Sequence, residues 1–320
     1  MIKTNSNLRE KLNKIPELPG IYKFFDADKR IIYIGKSICL KKRVSSYFAD
    51  NPKWEKVKRM IAFIDDMEFI VTDTHLEARL LECELIKSIK PLFNTQMKND
   101  ERYAYLKIEE YNLYNPISIK YIREENSFGP FRRKYSLYKM IELLKNLYPI
   151  YKINGIYKFE YKLFPVAMDR PSYETNKESL LEILSDELTM DLFIKDIEIK
   201  MKEAASMYKF ETASLFRDII FSLNYLKSGI MGYKNLFSKN IVLRIPFKGG
   251  IKLFFVSRGQ MVLKKTYKRL SDKSYSLFIE NGIKFSNKLT PLINEKMSID
   301  YRDILYSEII ALPEHMVNIL

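Results

Sequence analysis

The chain has 320 residues, 47% of them hydrophobic, which is enough for one large or two to three small packed units and excludes a chain disordered throughout. Lysines and arginines number 54 against 40 aspartates and glutamates, a formal charge of +14 that points to a polyanionic partner, nucleic acid foremost. Two cysteines (Cys39, Cys83), two histidines (His75, His315) and ten glycines without a phosphate-loop spacing exclude a disulfide framework, a zinc ribbon, a four-thiolate iron–sulfur site and a nucleotide-binding loop, so any metal must be held mainly by oxygen.

Predicted elements begin with a hairpin. Gly20 to Phe25 and Ile31 to Gly35 are β-rich, and Asp26-Ala-Asp-Lys-Arg30 between them has turn chemistry. A helix follows, with Ser37 as its expected N-cap and Leu40, Val44, Tyr47 and Phe48 as its apolar stripe. Met67 to Thr72 reads as a third strand, and His75 to Ile89 as a helix that Pro91 ends. Farther along, Ala104 to Ile108 and Ile117 to Ile122 read as strands, Ser136 to Leu147 as a helix and Asp169 to Glu178 as a polar connector. Asp191 to Lys227 has the stripes of a helical hairpin, with the turn at Tyr208 to Phe210. Ile241 to Tyr267 reads as a small β-meander, and the tail beyond it gives no clear signal. The echo of Gly20-Ile-Tyr-Lys-Phe24 in Gly155-Ile-Tyr-Lys-Phe159 lacks a counterpart of Tyr33-Ile-Gly35 and is read as coincidence.

Three groups of residues could carry chemistry. Period-two alternation sets Tyr22 and Tyr33 opposite the isoleucines of the hairpin, so two phenols share one surface, either as amphipathic packing or as a site. In the helix from His75, Glu82 falls between Ala78, Leu85, Ile86 and Ile89 in the apolar sector, whereas Glu77 and Glu84 point the other way. A carboxylate in that position needs a partner, a side-chain cation or a metal, while the other two need only water. His75 lies roughly 10 Å along the axis from Glu82, too far to share an ion, and is read as packing. Finally Lys36, Lys41, Lys42 and Arg43 come directly after the hairpin, and Lys53, Lys56, Lys58 and Arg59 surround Trp54; basic residues interleaved with an aromatic suit phosphate, although such a helix can also be a solvated face.

Leu18-Pro-Gly-Ile-Tyr22, Tyr33-Ile-Gly-Lys36, Leu40 to Phe48, Glu77-Ala-Arg-Leu-Leu-Glu82, Leu85-Ile-Lys87 and Pro91-Leu-Phe-Asn94, in this order and spacing, closely resemble the GIY-YIG nuclease domain in the version found in UvrC, the incision subunit of bacterial nucleotide excision repair. Phe128-Gly-Pro130 and the helix after it continue the resemblance. Independently, Ile199 to Ala205, Phe210-Glu-Thr-Ala213 and Phe216-Arg-Asp218 resemble the UVR helical hairpin through which UvrC and UvrB associate, and Leu253 to Gly259 resembles the UvrC segment on the C-terminal side of that hairpin.

The resemblance implies an α/β (α+β) fold: a small three-stranded sheet flanked by helices at 15–98, an extension and linker at 99–188, the UVR hairpin at 189–228 and a β-rich region at 229–320. It implies that Glu82 ligates one Mg²⁺ or Mn²⁺, that Tyr22 and Tyr33 orient or deprotonate the attacking water, that Lys36 and Arg43 neutralise the scissile phosphate and that Asn94 holds the site together. Lys41, Lys42, Lys53, Lys56, Lys58 and Arg59 become DNA contacts, and Phe210 and Phe216, expected to be exposed on the hairpin, become the contacts to UvrB. The activity implied is a metal-dependent DNA endonuclease like the 3′-incision half of UvrC, acting with UvrB on damaged double-stranded DNA. A non-catalytic DNA- or UvrB-binding adaptor and a mobile-element or restriction nuclease stay open as alternatives. The family's cysteine cluster is missing, and 320 residues leave no room for its RNase H-like nuclease and helix-hairpin-helix module, so the expectation is a shortened relative, comparable in economy to the single-nuclease Cho proteins. A polar N-terminus and short apolar runs predict no signal peptide or membrane span, and a cytoplasmic bacterial protein.

Overall fold

A computed structural model of the chain describes residues 6–49, 55–98, 103–232, 234, 238–289 and 295–320. The four segments expected from the sequence gather into two compact units, one made of residues 1–100 with 236–320, the other of 101–235.

In the first unit, β1 (Gly20–Phe25), β2 (Ile31–Ser37) and β3 (Asp66–Val71) form an antiparallel sheet in the order β2-β1-β3. The hairpin turn is set by Asp26, whose carboxylate accepts from the amides of Asp28 and Arg30, and by Lys29 in the left-handed region at φ 60°. Four helices flank this sheet: α1 (Ser6–Asn13), α2 (Leu40–Phe48), α3 (Glu55–Ala62) and α4 (His75–Ile89). Leu8, Leu40, Val44, Tyr47, Met60 and Ile61 from the first three close one core with Tyr22 and Phe24. Ser37 does not cap α2 as expected. Its hydroxyl instead bonds the amide and carbonyl of Cys39, which ends β2 and leaves Cys39 at the N-cap. The fourth helix begins and ends where the sequence places it, capped by the Thr74 side chain at the Glu77 amide and closed by Lys90 at φ 54°.

The second unit opens with a three-stranded sheet of β4 (Ala104–Ile108), β5 (Ile117–Lys120) and β6 (Ser127–Phe131), in the order β5-β4-β6. Then come α5 (Lys134–Leu144), a 3₁₀ turn at Lys145–Leu147, and the hairpin of β7 (Tyr151–Ile153) and β8 (Ile156–Lys158). Three helices complete it: α6 (Arg170–Ser185), α7 (Glu187–Ser206) and α8 (Phe210–Lys227). The stretch expected as a polar connector is thus the first half of α6, started by Asp169, which accepts from the Ser172 amide, and by Pro171 in the first turn. The hairpin of α7 and α8 is present, but Phe210 opens α8 and the turn is Met207 to Lys209.

Phe216 corrects a further expectation. It is only 4% exposed and packs with Phe193, Ile197, Ile219 and Leu223 in the core of the second unit, its ring edge-on to Tyr161. The physical reason is that α7 and α8 lie against α5, α6 and β8, which cover the hairpin from within the chain. Phe210 remains on the outside, 64% exposed.

The chain returns to the first unit with the expected meander, β9 (Asn240–Phe247), β10 (Gly250–Ser257) and β11 (Gln260–Tyr267). The tail that gave no signal forms α9 (Asp272–Ser286), α10 (Glu295–Ala311) and β12 (Val317–Ile319), whose last strand pairs with β9 to complete the order β11-β10-β9-β12. Leu76, Leu80 and Cys83 of α4 share a core with Leu243, Phe254, Ile304 and Leu305, so α4 is covered on the side away from the nuclease-like sheet as well. No helix among the described residues is long and apolar enough to cross a membrane.

Candidate active site

Alternation along β1 and β2 pairs Tyr22 with Gly35 and Phe24 with Tyr33, placing both phenols on the face that α2 covers. The Tyr22 hydroxyl lies 2.8 Å from that of Tyr47, which in turn donates to Tyr33 across 3.5 Å. The two phenols thus share one face, as expected, with Tyr22 fully buried and Tyr33 half-buried. Burial, and after it the neighbouring phenols, pushes the Tyr22 hydroxyl well above the ordinary tyrosine range, and the same causes, with the Glu82 charge added, raise Tyr33. Gly35 is required by this packing: a Cβ there would sit 2.3 Å from the Tyr22 hydroxyl oxygen.

On the other face, Lys36 meets α4. Its backbone amide donates to one Glu82 oxygen at 3.1 Å and its ammonium to the other at 3.0 Å, and Glu82 is 8% exposed. Asn94 ties the segment after α4 to β2, accepting from the Ile34 amide at 2.9 Å and donating to the Ile34 carbonyl at 2.8 Å. The expectation that Glu77 needs only water does not hold. It is 8% exposed and meets Lys252 at 2.7 Å and Lys264 at 3.0 Å, because the C-terminal sheet covers that side of the helix. Glu84 is exposed, as expected.

Tyr33, Lys36, Arg43, Glu82 and Asn94 line one cleft of about 280 Å³, together with Tyr47, Ile86 and Phe93. Five of the six polar residues singled out from the sequence are therefore brought together. Tyr22 is not among the lining residues; its hydroxyl bonds that of Tyr47, which is. Arg43 stands over the Tyr47 ring, 4.9 Å from its centroid, a cation–π contact that aims the guanidinium at the cleft wall. Sequence reasoning missed Tyr47, treating it as part of the α2 stripe. The available signal was a hydroxyl inside an apolar stripe, which needs a hydrogen-bond partner when buried.

His75 is half-buried and does not line the cleft; burial, then the charges of Lys36 and Arg79, hold its imidazole below the ordinary histidine range. Lys41, Lys42, Lys58 and Arg59 are exposed on α2 and α3, with Lys58 paired to Glu55 at 3.1 Å. Lys53 and Trp54 lie outside the described residues, as does the side chain of Lys56.

Residues 18–95 match the family described as the UvrC-like GIY-YIG domain. Residues 18–95 are a GIY-YIG endonuclease domain of UvrC type. Beyond the domain, the chain is similar to UvrABC system protein C of Thermoanaerobacter sp. strain X514, 34% identical over 239 residues, 68% of this chain and 38% of that protein. Against the same protein of Caldanaerobacter subterraneus the identity is 30% over 318 residues, 92% of this chain and 51% of the relative. The chain thus spans about half the length, or less, of these curated relatives. A solved GIY-YIG N-terminal endonuclease domain of UvrC from Thermotoga maritima, bound to its catalytic divalent cation, magnesium, is 39% identical, covering 29% of this chain and 100% of that one with a TM-score of 0.27. By the family match, the cleft belongs to a nuclease domain, and its residues can be read for that chemistry.

Proposed function

We propose that the chain is a divalent-metal-dependent DNA endonuclease that performs the 3′-incision chemistry of nucleotide excision repair together with UvrB. The observation that carries this reading is the Glu82 carboxylate, buried in α4 yet lining an open cleft with Tyr33, Lys36, Arg43 and Asn94. The residues fit a hard cation that takes few protein oxygens: Glu82 offers a carboxylate to the cleft, and no cluster of three or more His, Cys, Asp or Glu side chains suited to a closed metal cage occurs among the described residues. One Mg²⁺ or Mn²⁺ held by Glu82 and completed by waters would supply positive charge to the scissile phosphate and offset the carboxylate that opposes Tyr33 ionisation.

The remaining work falls to the chain's own groups. Tyr33 and Tyr47 both line the cleft, and Tyr33 is the one that feels the Glu82 charge; as phenolate it accepts the proton of the attacking water as the water oxygen bonds to phosphorus and the bond to the departing strand oxygen breaks. Burial opposes that ionisation and Arg43 favours it. Tyr47 donates to the Tyr33 oxygen and so fixes where that oxygen stands, while Tyr22 holds Tyr47 in place from the core. Arg43 and Lys36 neutralise charge that builds on the phosphate. Asn94 fixes β2, and with it Lys36, by its two bonds to Ile34. The exposed Lys41, Lys42, Lys58 and Arg59, with Lys53 and Lys56, would track the phosphates of damaged duplex. Residues 189–228 would recruit UvrB through the outer surface of the hairpin around Phe210, Phe216 being committed to the core.

One observation favours a second reading, a DNA- or UvrB-binding adaptor without activity: the Lys36 ammonium already satisfies Glu82 in a half-buried ion pair. Incubating the full chain with a lesion-bearing duplex and Mg²⁺, with UvrA and UvrB present or omitted, separates the two. The nuclease reading requires a nick that EDTA abolishes and UvrA and UvrB direct to the lesion; binding without any nick would establish the adaptor.

A further inference from the structure

We propose that Tyr121, Arg132, Arg133, Lys134, Tyr135 and Tyr138 of the second unit form a second DNA-binding surface, one that takes a single-stranded segment by stacking unpaired bases on the tyrosines. Tyr135 is 87% exposed, more than any other large apolar or aromatic side chain among the described residues, and nothing in its own unit covers it. It stands on α5 three residues before Tyr138, which is 46% exposed, while Leu137, Met140, Ile141 and Leu144 take the buried side of the same helix. Two rings on the outer side of one helix are thereby offered to a ligand.

Lys134 organises the rest of the patch. Its ammonium donates to the Tyr121 hydroxyl at 2.6 Å and lies 5.2 Å from the centroid of that ring and 5.8 Å from that of Tyr138. One cation therefore links the Tyr121 hydroxyl to the Tyr138 ring. Arg132 lies 6.0 Å from the centre of the Tyr103 ring, and Arg133 is exposed beside it. From Asn126 to Ile141 the chain carries no carboxylate. Acidic groups near the patch are paired: Glu142 with Lys145 at 2.6 Å, Asp218 of α8 with Lys139 at 2.9 Å, and Glu109 and Glu110, which line a cleft with Tyr138, with Lys120 at 2.9 Å and Lys177 at 2.6 Å. Net positive charge interleaved with open aromatic rings is the chemistry of a strand-binding platform, in which cations follow the backbone and rings take the bases. A duplex offers only its phosphates to such rings, because its base faces are already stacked, so the tyrosines select for unpaired nucleotides.

The inference rests on the reading of the chain as a DNA-acting protein but does not depend on cleavage. Fluorescence anisotropy of the full chain with labelled oligothymidylate, and with a duplex of the same length, tests it. Tyr135→Ala should weaken single-strand binding about tenfold with duplex binding nearly unchanged, and Tyr135→Phe, which keeps the ring, should retain wild-type affinity. Replacing Arg133 and Lys134 by alanine should make the salt dependence of single-strand binding shallower by about one to two phosphate contacts. Unchanged single-strand affinity in Tyr135→Ala, or equal losses for single strand and duplex, overturns the proposal. A wild-type chain that never nicks but shows Tyr135-dependent strand binding removes the nuclease reading alone; a nicking chain indifferent to Tyr135 removes this surface alone.

Discussion

Lys36 grips Glu82 at both carboxylate oxygens, through its backbone amide at 3.1 Å and its ammonium at 3.0 Å. Strand β2 and helix α4 are thereby joined at the floor of the cleft. Lys36 can do this because β2 is the edge strand of its sheet, where every second amide points away from β1 and is free for the helix. The pair explains how a carboxylate tolerates an apolar sector before any substrate arrives.

The C-terminal sheet should stabilise α4 through Lys252. This ammonium is 8% exposed and bridges Asp73 at 2.8 Å and Glu77 at 2.7 Å. Lys252→Met should destabilise the fold by up to about 3 kcal/mol, since Glu77 would keep only the more exposed Lys264. Adding Glu77→Gln should recover part of that loss. Urea unfolding of the two single variants and the double variant measures the coupling, and strictly additive losses would mean that the bridge contributes nothing.

The buried phenol of Tyr22 predicts a pH dependence. Its ionisation is displaced above the ordinary value of about 10, so folded chains hold the proton where unfolded chains release it. The stability that Tyr22 contributes is complete below about pH 10 and falls as pH rises beyond it. Tyr22→Phe should cost about 1 kcal/mol at neutral pH through the lost bond to Tyr47, and the gap to the wild type should close as the solution is made alkaline. A gap that is constant through this range would contradict the burial of the hydroxyl.

The two hairpin phenylalanines should behave oppositely. Phe210→Asp should leave circular dichroism and melting unchanged while weakening UvrB binding by tenfold or more, read by isothermal titration. Phe216→Asp should unfold the second unit, because it puts a charge among Phe193, Ile219 and Leu223. A folded Phe216→Asp variant would show that the hairpin is not packed as described.

The sequence made the nuclease sheet, α4 and the meander legible because each carries a complete local signal: alternation, a turn, a stripe and a stop. Glu82 was legible for the same reason, as a charge where the helix periodicity demands an apolar residue. What escaped was tertiary. Glu77 reads as a solvated residue on one helix in isolation, and only the strands β10 and β11, from far along the chain, turn it into a buried anion with two lysines. Phe216 fits an exposed hairpin equally well until α5, packed on α8, and the Tyr161 ring cover it. Tyr47 hid in an apolar stripe because periodicity reports that a side chain is inside and not what its hydroxyl meets there. The start of α6 was visible in Asp169 and Pro171, and the polar residues between them and Glu178 masked it.

The most direct test of the account is plasmid nicking in Mg²⁺ by Glu82→Gln beside Glu84→Gln, with DNA affinity measured in parallel. The amide keeps the shape of the Glu82 side chain and removes the charge that would hold the cation, so nicking by Glu82→Gln should fall at least a hundredfold with DNA affinity and melting temperature little changed. Glu84→Gln, altered at an exposed position of the same helix, should nick like the wild type. Full activity of the Glu82 variant, or equal losses in both, would contradict the assignment of Glu82 as the metal-holding carboxylate.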